Sequence, residues 1–428
     1  MKQHLIGTAT LLLASTAAAQ TPLPELYRHL HAHPELSFHE QRTAQRVSRE
    51  LEALGFDVTT GIGGHGFAAV MRNGEGPTLM LRTDLDALPV REQTGKPYAS
   101  TVTTTDEHGN TVSVMHACGH DVHMTVLVGT ARELVTQRDR WRGTLLLIGQ
   151  PAEERGAGAR AMLADGLFER FPVPDYNLAL HTSAGLPAGS IGYTSGYALA
   201  SVDSVDLTVF GIGGHGAYPH TTRDPVVLAA QIVNALQTLV AREIAPIEPG
   251  VVTVGSIHGG SKHNIIPDRV DLQITVRSYS DETRDTLIDG IRRIARGQAL
   301  AMGLPEDRLP QVTVRDERTR STYNDPALME RLLGAWRSVL GDEAVHETEP
   351  VMGGEDFSEY GRTEHDIPSV IYWLGGVDPA RWRQARDGGE ALPSLHSPFF
   401  APIPEPTIET GVAAMTAAAL ELLPAGRR

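Results

Sequence analysis

The sequence predicts an α/β fold: a mainly parallel sheet covered on both faces, interrupted by a smaller ferredoxin-like α+β unit. Three observations lead there. Short apolar runs of strand length alternate with helical stretches through most of the 428 residues. Polar clusters follow three of those runs, where open α/β sheets bind ligands. From about Ser201 the texture changes to a β-α-β-β-α-β order, and the α/β texture resumes near residue 317. The expected division is a leader at 1–20, a first segment at 21–200, the insert at 201–316 and a second segment at 317–428.

Taken in order, Pro22 to Leu30 has helical character. Ser37-Phe38-His39-Glu40 has the spacing of a capping box opening a helix to about Leu54. Phe67 to Met71 and Thr78 to Arg82 are strand-length apolar runs, the second ending in Thr83-Asp84-Leu85-Asp86. Residues 91–114 are polar and irregular, a candidate active-site loop. A helix is expected from Asp121 to Val135. Thr144 to Ile148 is a buried strand ending in Gln150-Pro151-Ala152-Glu153-Glu154, then a turn and a helix to about Ala164. Asn177 to Leu180 is a strand ending on His181.

In the insert, Val202 to Phe210, Val251 to Ile257, Val270 to Tyr279 and Gln311 to Arg315 are expected strands. Asp224-Pro225 is a helix start running to Val240, and Asp281 to Met302 is the second helix. A helix at Pro326 to Leu340, a strand at Ser369 to Leu374 and a helix from about Pro406 to Leu423 complete the set. Gly61-Ile62-Gly63-Gly64-His65-Gly66 recurs as Gly211 to Gly216. Both match G-x-G-x-x-G, but neither sits between a strand and an immediately following helix, so no dinucleotide site is expected.

The net charge of -15 and the absence of a basic run exclude a nucleic-acid binder. Residues 1–20 have the form of an export signal: Lys2, an apolar run from Leu5 to Leu13, and Ala17-Ala18-Ala19 for cleavage. That run is too short to span a bilayer, and no other stretch is expected to span one. A periplasmic or secreted protein follows. The single cysteine, Cys118, has no internal disulfide partner.

The chemistry concentrates in Met115-His116-Ala117-Cys118-Gly119-His120-Asp121-Val122-His123. Thiolate and imidazole bind borderline transition metals, and Gly119 lets the chain aim Cys118 and His120 at one point. Asp121 is a candidate orienter of a ligand imidazole. A competing metal set would use His116, His120 and His123 on one helix face. Glu153 and Glu154 point in different directions, so one can bind a metal while the other acts as general base.

With M-H-A-C-G-H-D, R-T-D-L-D-A-L-P, Q-P-A-E-E, G-G-H-G-A-Y-P-H, H-N-I-I-P-D, G-G-E-D-F and L-H-S-P in this order, the chain resembles the M20 metallopeptidase family. Within it the chain is most similar to the amidohydrolase subgroup of hippurate, N-acyl-amino-acid and auxin-conjugate hydrolases. The resemblance implies a catalytic α/β domain carrying two divalent metal ions, zinc or manganese with cobalt or nickel as alternatives, and an inserted lid that forms a homodimer or a larger oligomer. It implies Cys118, His120, Glu154, His181 and His396 as metal ligands, Cys118 replacing a bridging aspartate. Glu153 is the implied general base and Asp86 an orienter. Asp84 stands where other branches carry a metal-binding histidine.

In the lid, the resemblance implies that His215 reaches the neighbouring subunit's site and stabilises an oxyanion, with His220 nearby. Asn264 and Arg277 would hold a substrate's amide and carboxylate. Glu355 and Asp356 fall near the site with no role assigned. The implied reaction is hydrolysis of N-acyl amino acids. A dipeptidase or carboxypeptidase is the alternative within enzymes, and a silent exported binding protein the alternative outside them.

Overall fold

The computed structural model describes residues 20–425, so the expected leader lies outside the described residues except for Gln20. The first segment holds helices α1 (Leu23–Ala32), α2 (Gln41–Ala53), α3 (His120–Thr136) and α4 (Gly158–Ala164). Its strands in the main sheet are β1 (Asp57–Ile62), β2 (Gly66–Asn73), β3 (Thr78–Asp84), β4 (Gly143–Gln150), β5 (Tyr176–Pro187) and β6 (Ile191–Tyr193). The insert contributes β7 (Ser201–Phe210), α5 (Pro225–Thr238), β8 (Gly250–Gly259), β9 (Arg269–Ser278), α6 (Asp281–Ala301) and β10 (Gln311–Thr319). The second segment adds α7 (Pro326–Leu340), β11 (Val345–Glu347), β12 (Ser369–Val377), α8 (Pro379–Arg386) and α9 (Pro404–Leu422).

An eight-stranded sheet runs β1-β2-β4-β3-β5-β12-β6-β11. Its centre, from β4 through β12, is parallel. The β1/β2, β2/β4 and β12/β6 pairs are antiparallel. The central strands are uninterrupted apolar runs because both faces are covered. One face packs Leu79, Leu81, Leu145 and Leu147 against α3 and α9; the other packs Met80, Leu146 and Ile148 against Met162 of α4 and Phe357. Parallel pairing brings Asp84 opposite Gln150. His181, expected as a strand end, lies inside the longer β5, opposite Trp373 of β12.

The insert forms a four-stranded antiparallel sheet in the order β8-β9-β7-β10, the ferredoxin-like arrangement. Burial along β7 alternates at every position, so one face packs Val205, Leu207 and Val209 under α5 and α6. Asp224 caps α5 as expected, Oδ1 accepting from the Val226 N–H at 2.8 Å. One expectation needs correcting: Pro225–Glu243 is long and apolar enough to cross a bilayer by length and composition. Its inner residues Leu228, Ile232 and Leu236 are committed to the core of the insert.

The start of α2 also departs from the expected capping box. Ser37 donates instead to Asp86 Oδ2 at 2.7 Å. Glu40 Oε1 accepts from the N–H groups of Phe38 and Ala152. Glu35 takes up the Thr43 N–H and hydroxyl of the first turn. Ser37 and Glu40 thus reach partners 49 and 112 residues away, which local spacing does not encode. Strand β1 and helix α8, polar and largely exposed, carry no apolar pattern to announce them.

Arg82 fastens the sheet to the segment returning from the insert. It is buried at the end of β3 and donates to Gln150 Oε1 (3.0 Å), Asp84 Oδ2 (2.7 Å), Glu355 Oε1 (2.8 Å) and Asp356 Oδ1 (3.3 Å). Burial disfavours the charge, but Glu355, Asp84 and Asp356 outweigh it and raise the guanidinium above its ordinary range. Replacing it with Met would strand these carboxylates without a cation. Arg82→Met is expected to lower stability by about 3–5 kcal/mol, read by denaturant unfolding. A loss under about 1 kcal/mol would mean that the carboxylates do not depend on it.

Candidate active site

The catalytic candidates meet at the carboxyl edge of the parallel strands, on the floor of a cleft of about 1610 Å³. The two carboxylates after β4 are held by a tight turn. Ala152 and Gly156, both left-handed (φ 48° and 56°), bracket a 3-10 turn at Glu153–Arg155. Gly119 (φ 89°) precedes α3, and a Cβ there would lie 3.0 Å from the Thr182 side chain. His396 is itself left-handed (φ 65°), and its N–H bonds Ala117 O beside Cys118. Three of the four described non-glycine residues with positive φ, namely Phe38, Ala152 and His396, flank this cleft; the fourth is Asp366.

Cys118 Sγ lies 3.4 Å from His181 Nε2 and 3.3 Å from His396 Nε2. His396 Nε2 is 3.5 Å from Glu154 Oε2, and His120 Nε2 is 3.9 Å from Glu154 Oε1 and 3.8 Å from Glu153 Oε2. Two ring nitrogens are fixed from behind by carbonyls: His120 Nδ1 donates to Asp86 O (2.9 Å) and His181 Nδ1 to Thr182 O (2.8 Å). Each therefore presents an unprotonated Nε2 when neutral.

These donors suit divalent metal ions. Bonds of about 2.0–2.3 Å from nitrogen and sulfur to a tetrahedral ion imply ligand separations of roughly 3.5 Å, and the observed spacings bracket that length. Cys118 belongs to two of the five groups of potential ligands among the described residues, one with His120 and His181 and one with Glu154 and His396. His120 Nε2 and Glu154 Oε1 are buried without a hydrogen-bond partner. Burial, reinforced by Glu154 and Glu153, pushes the Cys118 thiol up. Burial with Glu355 and Glu154 raises Glu153, and burial brings Glu154 to about 8 despite His120. Asp84 and Asp86 outweigh burial and raise His120 to about 10. The protons held by this crowded cluster are those that divalent cations would displace.

The competing His116, His120 and His123 set is not assembled. His123 Nε2 accepts from the Thr182 N–H (2.8 Å) and its Nδ1 donates to Asp84 Oδ1 (2.7 Å), so neither nitrogen is free. His116 is buried outside every group of potential ligands among the described residues. Asp121 corrects a second expectation. It orients no ligand imidazole; its Oδ2 pairs with His31 Nδ1 at 2.6 Å. His31 then reaches Glu92 at 3.1 Å, tying α1 and α3 to the 91–114 loop, whose Asp106, Glu107 and His108 line the cleft. Asp86 sits beneath the site, its Oδ2 taking the Glu154 N–H at 3.0 Å.

Of the site residues expected in the insert, Arg277 lines the cleft, its Nη1 donating to Met352 O at 3.2 Å. His215, His220 and Asn264 do not line it: His215 is exposed, paired with Ile265, and Gly216 N–H bonds Asn264 O. Glu355 and Asp356 belong to the Arg82 network behind Glu153, with an oxygen of each among the three carboxylates clustered there. Sequence reasoning missed Arg82, Glu40 and the tryptophans Trp373 and Trp382 of the cleft wall. Only Arg82, beside Asp84 in a motif already singled out, carried a usable signal.

The family model described as peptidase family M20/M25/M40 matches residues 80–421. N-acetylcysteine deacetylase of Bacillus subtilis is 34% identical over 405 residues, covering 92% of this chain and 98% of the relative. Thermostable carboxypeptidase 1 of Saccharolobus solfataricus is 35% identical over 355 residues, covering 82% and 85%. Among solved structures, the YXEP protein of Bacillus subtilis, described as a dinuclear metal binding peptidase from the M20 family, superposes with a TM-score of 0.73 at 30% identity, covering 94% of this chain and 97% of that one. Cysteine, imidazole and paired carboxylates at one sheet edge agree with these likenesses: the chain belongs to peptidase family M20/M25/M40 and is a metal-dependent hydrolase of amide bonds.

Proposed function

We propose that the protein hydrolyses the amide bond of N-acyl amino acids. The observation that carries this reading is Cys118 Sγ standing between His181 and His396, with Glu153 beside the same cluster. Cys118, His120, Glu154, His181 and His396 would hold two divalent ions, zinc or manganese, with cobalt or nickel as alternatives. When bound, such ions lower the pKa of water and polarise a carbonyl. Glu153 takes the proton from the attacking water and returns it to the leaving amine. Its buried place among Glu154, Glu355 and Asp356 raises its proton affinity, which suits that role. Of the arginines lining the cleft, Arg155, Arg277, Arg318 and Arg386, Arg277 is the one assigned here to the substrate's free carboxylate.

We place His215, His220 and Asn264 at a partner subunit's site, in a homodimer formed through residues 201–316. Two features support this: the exposed position of His215 away from its own cleft, and β8 as an edge strand carrying exposed Ile257, with Val226 and Val227 also exposed on α5. The expected division at 21–200, 201–316 and 317–428 and export to the periplasm or medium belong to the same reading, the latter resting on Lys2, Leu5 to Leu13 and Ala17-Ala18-Ala19. The likeness to thermostable carboxypeptidase 1 favours a peptidase as the second reading.

A panel of hippurate, N-acetyl amino acids, indole-acyl amino acids and plain dipeptides, with and without chelator, separates the two. Chelator-sensitive cleavage of acyl amino acids is expected; cleavage of dipeptides alone would establish the peptidase. Glu153→Gln is expected to lower kcat by about 10²–10⁴-fold while metal content, measured by elemental analysis, is retained. Full activity would refute its role as base. Cys118→Ala is expected to bind less metal per chain than the native protein, and undiminished binding would remove Cys118 from the ligand set.

A further inference from the structure

We infer that Glu40 is a positioning residue for the general base: through the Ala152 amide it holds the strained turn that carries Glu153. This inference rests on the reading of Glu153 as the base given above. The starting observation is that Ser37-Phe38-His39-Glu40, spaced to cap α2, does not cap it. No side-chain hydrogen bond caps the helix at Glu40, and Glu35 serves its first turn by taking the Thr43 N–H. The two polar ends of the motif reach the turn after β4 instead.

Glu40 is fully buried. Its Oε1 accepts two N–H groups, from Phe38 at 2.7 Å and from Ala152 at 2.8 Å. Both donors belong to left-handed residues, with φ of 62° and 48°. A side chain with a Cβ is disfavoured in that conformation and persists there only where its surroundings enforce it. One carboxyl oxygen supplies that contact for both residues. The other, Oε2, is buried without a hydrogen-bond partner. An unpaired polar atom in the interior costs stability, and no contact from this side chain to α2 offsets the cost. Burial, with Asp86 adding to it, pushes the Glu40 carboxyl up to about 8. The neutral acid therefore prevails at neutral pH, with Oε1 as its acceptor.

Ala152 opens the turn at Glu153–Arg155, and Gly156 closes it. Asp86 Oδ2 takes the Glu154 N–H at 3.0 Å and is itself held by the Ser37 hydroxyl at 2.7 Å. The amides on both sides of Glu153 are thus fixed from the 37–40 segment, one directly and one through Asp86. A base has to stand within hydrogen-bond reach of the proton it takes, so a backbone rotation at residue 152 carries Glu153 out of reach. Glu154 has a separate hold through Asp86, and loss of the Glu40 contact falls first on Glu153.

The test is kcat and KM of the metal-loaded protein on whichever substrate of the panel above it cleaves, with metal content from elemental analysis. Glu40→Ala is expected to lower kcat by about 10- to 100-fold, with KM little changed and metal retained. Glu40→Gln, which keeps the acceptor oxygen, is expected to preserve most of kcat. In an Ala152→Gly background, where the left-handed conformation meets no Cβ penalty, Glu40→Ala is expected to cost less than about tenfold. In a Glu153→Gln background it is expected to cost nothing further, because groups that act as one unit are not additive. If Glu40→Ala does not fold, Glu40→Asp, one methylene shorter, carries the same expectations. Lowered stability with unchanged kcat, or loss of metal with unchanged turnover per bound metal, overturns the inference alone. A further fall in kcat in the Glu153→Gln background overturns it too. Full activity of Glu153→Gln would instead remove the parent reading and the inference with it.

Discussion

Crowding of buried carboxylates around a single arginine is the constraint on which this structure depends. Asp84, Asp86, Glu355 and Asp356 are fully buried and Glu153 nearly so, with Glu154 beside them, and among the described residues Arg82 is the guanidinium that pairs with Asp84, Glu355 and Asp356. Such a density of negative charge in a low-dielectric interior demands compensation. Part comes from Arg82 and part from histidines: His120, His123 and Arg82 overcome the effect of burial and hold Asp84 well below the ordinary carboxylate range. Burial leaves Glu153 and Glu154 the other way, with raised proton affinity. Within one cluster, Asp84 is held ionised, while Glu153, Glu154 and also Asp356, which burial raises to about 7 despite Arg82, gain proton affinity. That separation suits similar side chains to metal binding on one hand and to proton transfer on the other.

The scaffold delivers these groups by parallel pairing and by strained turns. Asp84, Gln150 and His181 lie near one edge because β3, β4 and β5 run in the same direction with fixed register. Glu153 and Glu154 lie just beyond that edge because Ala152 and Gly156 take left-handed conformations, supported from outside by Glu40. Cys118 and His120 come from the start of α3, and His396 from a loop pinned to Ala117. Helices packed on both faces keep the edge rigid, while the insert closes one side of the cleft with Val202, Ser204 and Arg277.

Hydrogen bonds behind the site decide which donors are available. His120 and His181 keep Nε2 free because backbone carbonyls hold Nδ1. His123, equally buried and only three residues from His120, is excluded because Thr182 and Asp84 occupy both of its nitrogens. Asp121, adjacent to His120, turns instead toward His31. Identical side chains within nine residues thus divide into candidate ligands and supports through their partners, most of which lie far away in sequence.

The sequence by itself determined the sheet, the insert and the set of reactive side chains. Those signals are local: apolar runs of strand length, a period of two along β7, a capping Asp224 before Pro225, and a cysteine among histidines. Only the tertiary structure decided how the polar side chains pair. Ser37 was spaced to cap α2 yet bonds Asp86, and Glu40 supports Ala152, 112 residues away. Trp382 faces the cleft because helix α8, which has no apolar periodicity, is anchored to Gly185. Hydrophobic patterning repeats along the chain and can be read from it. A hydrogen bond or ion pair depends on angstrom-scale approach between distant residues, which only the folded chain supplies.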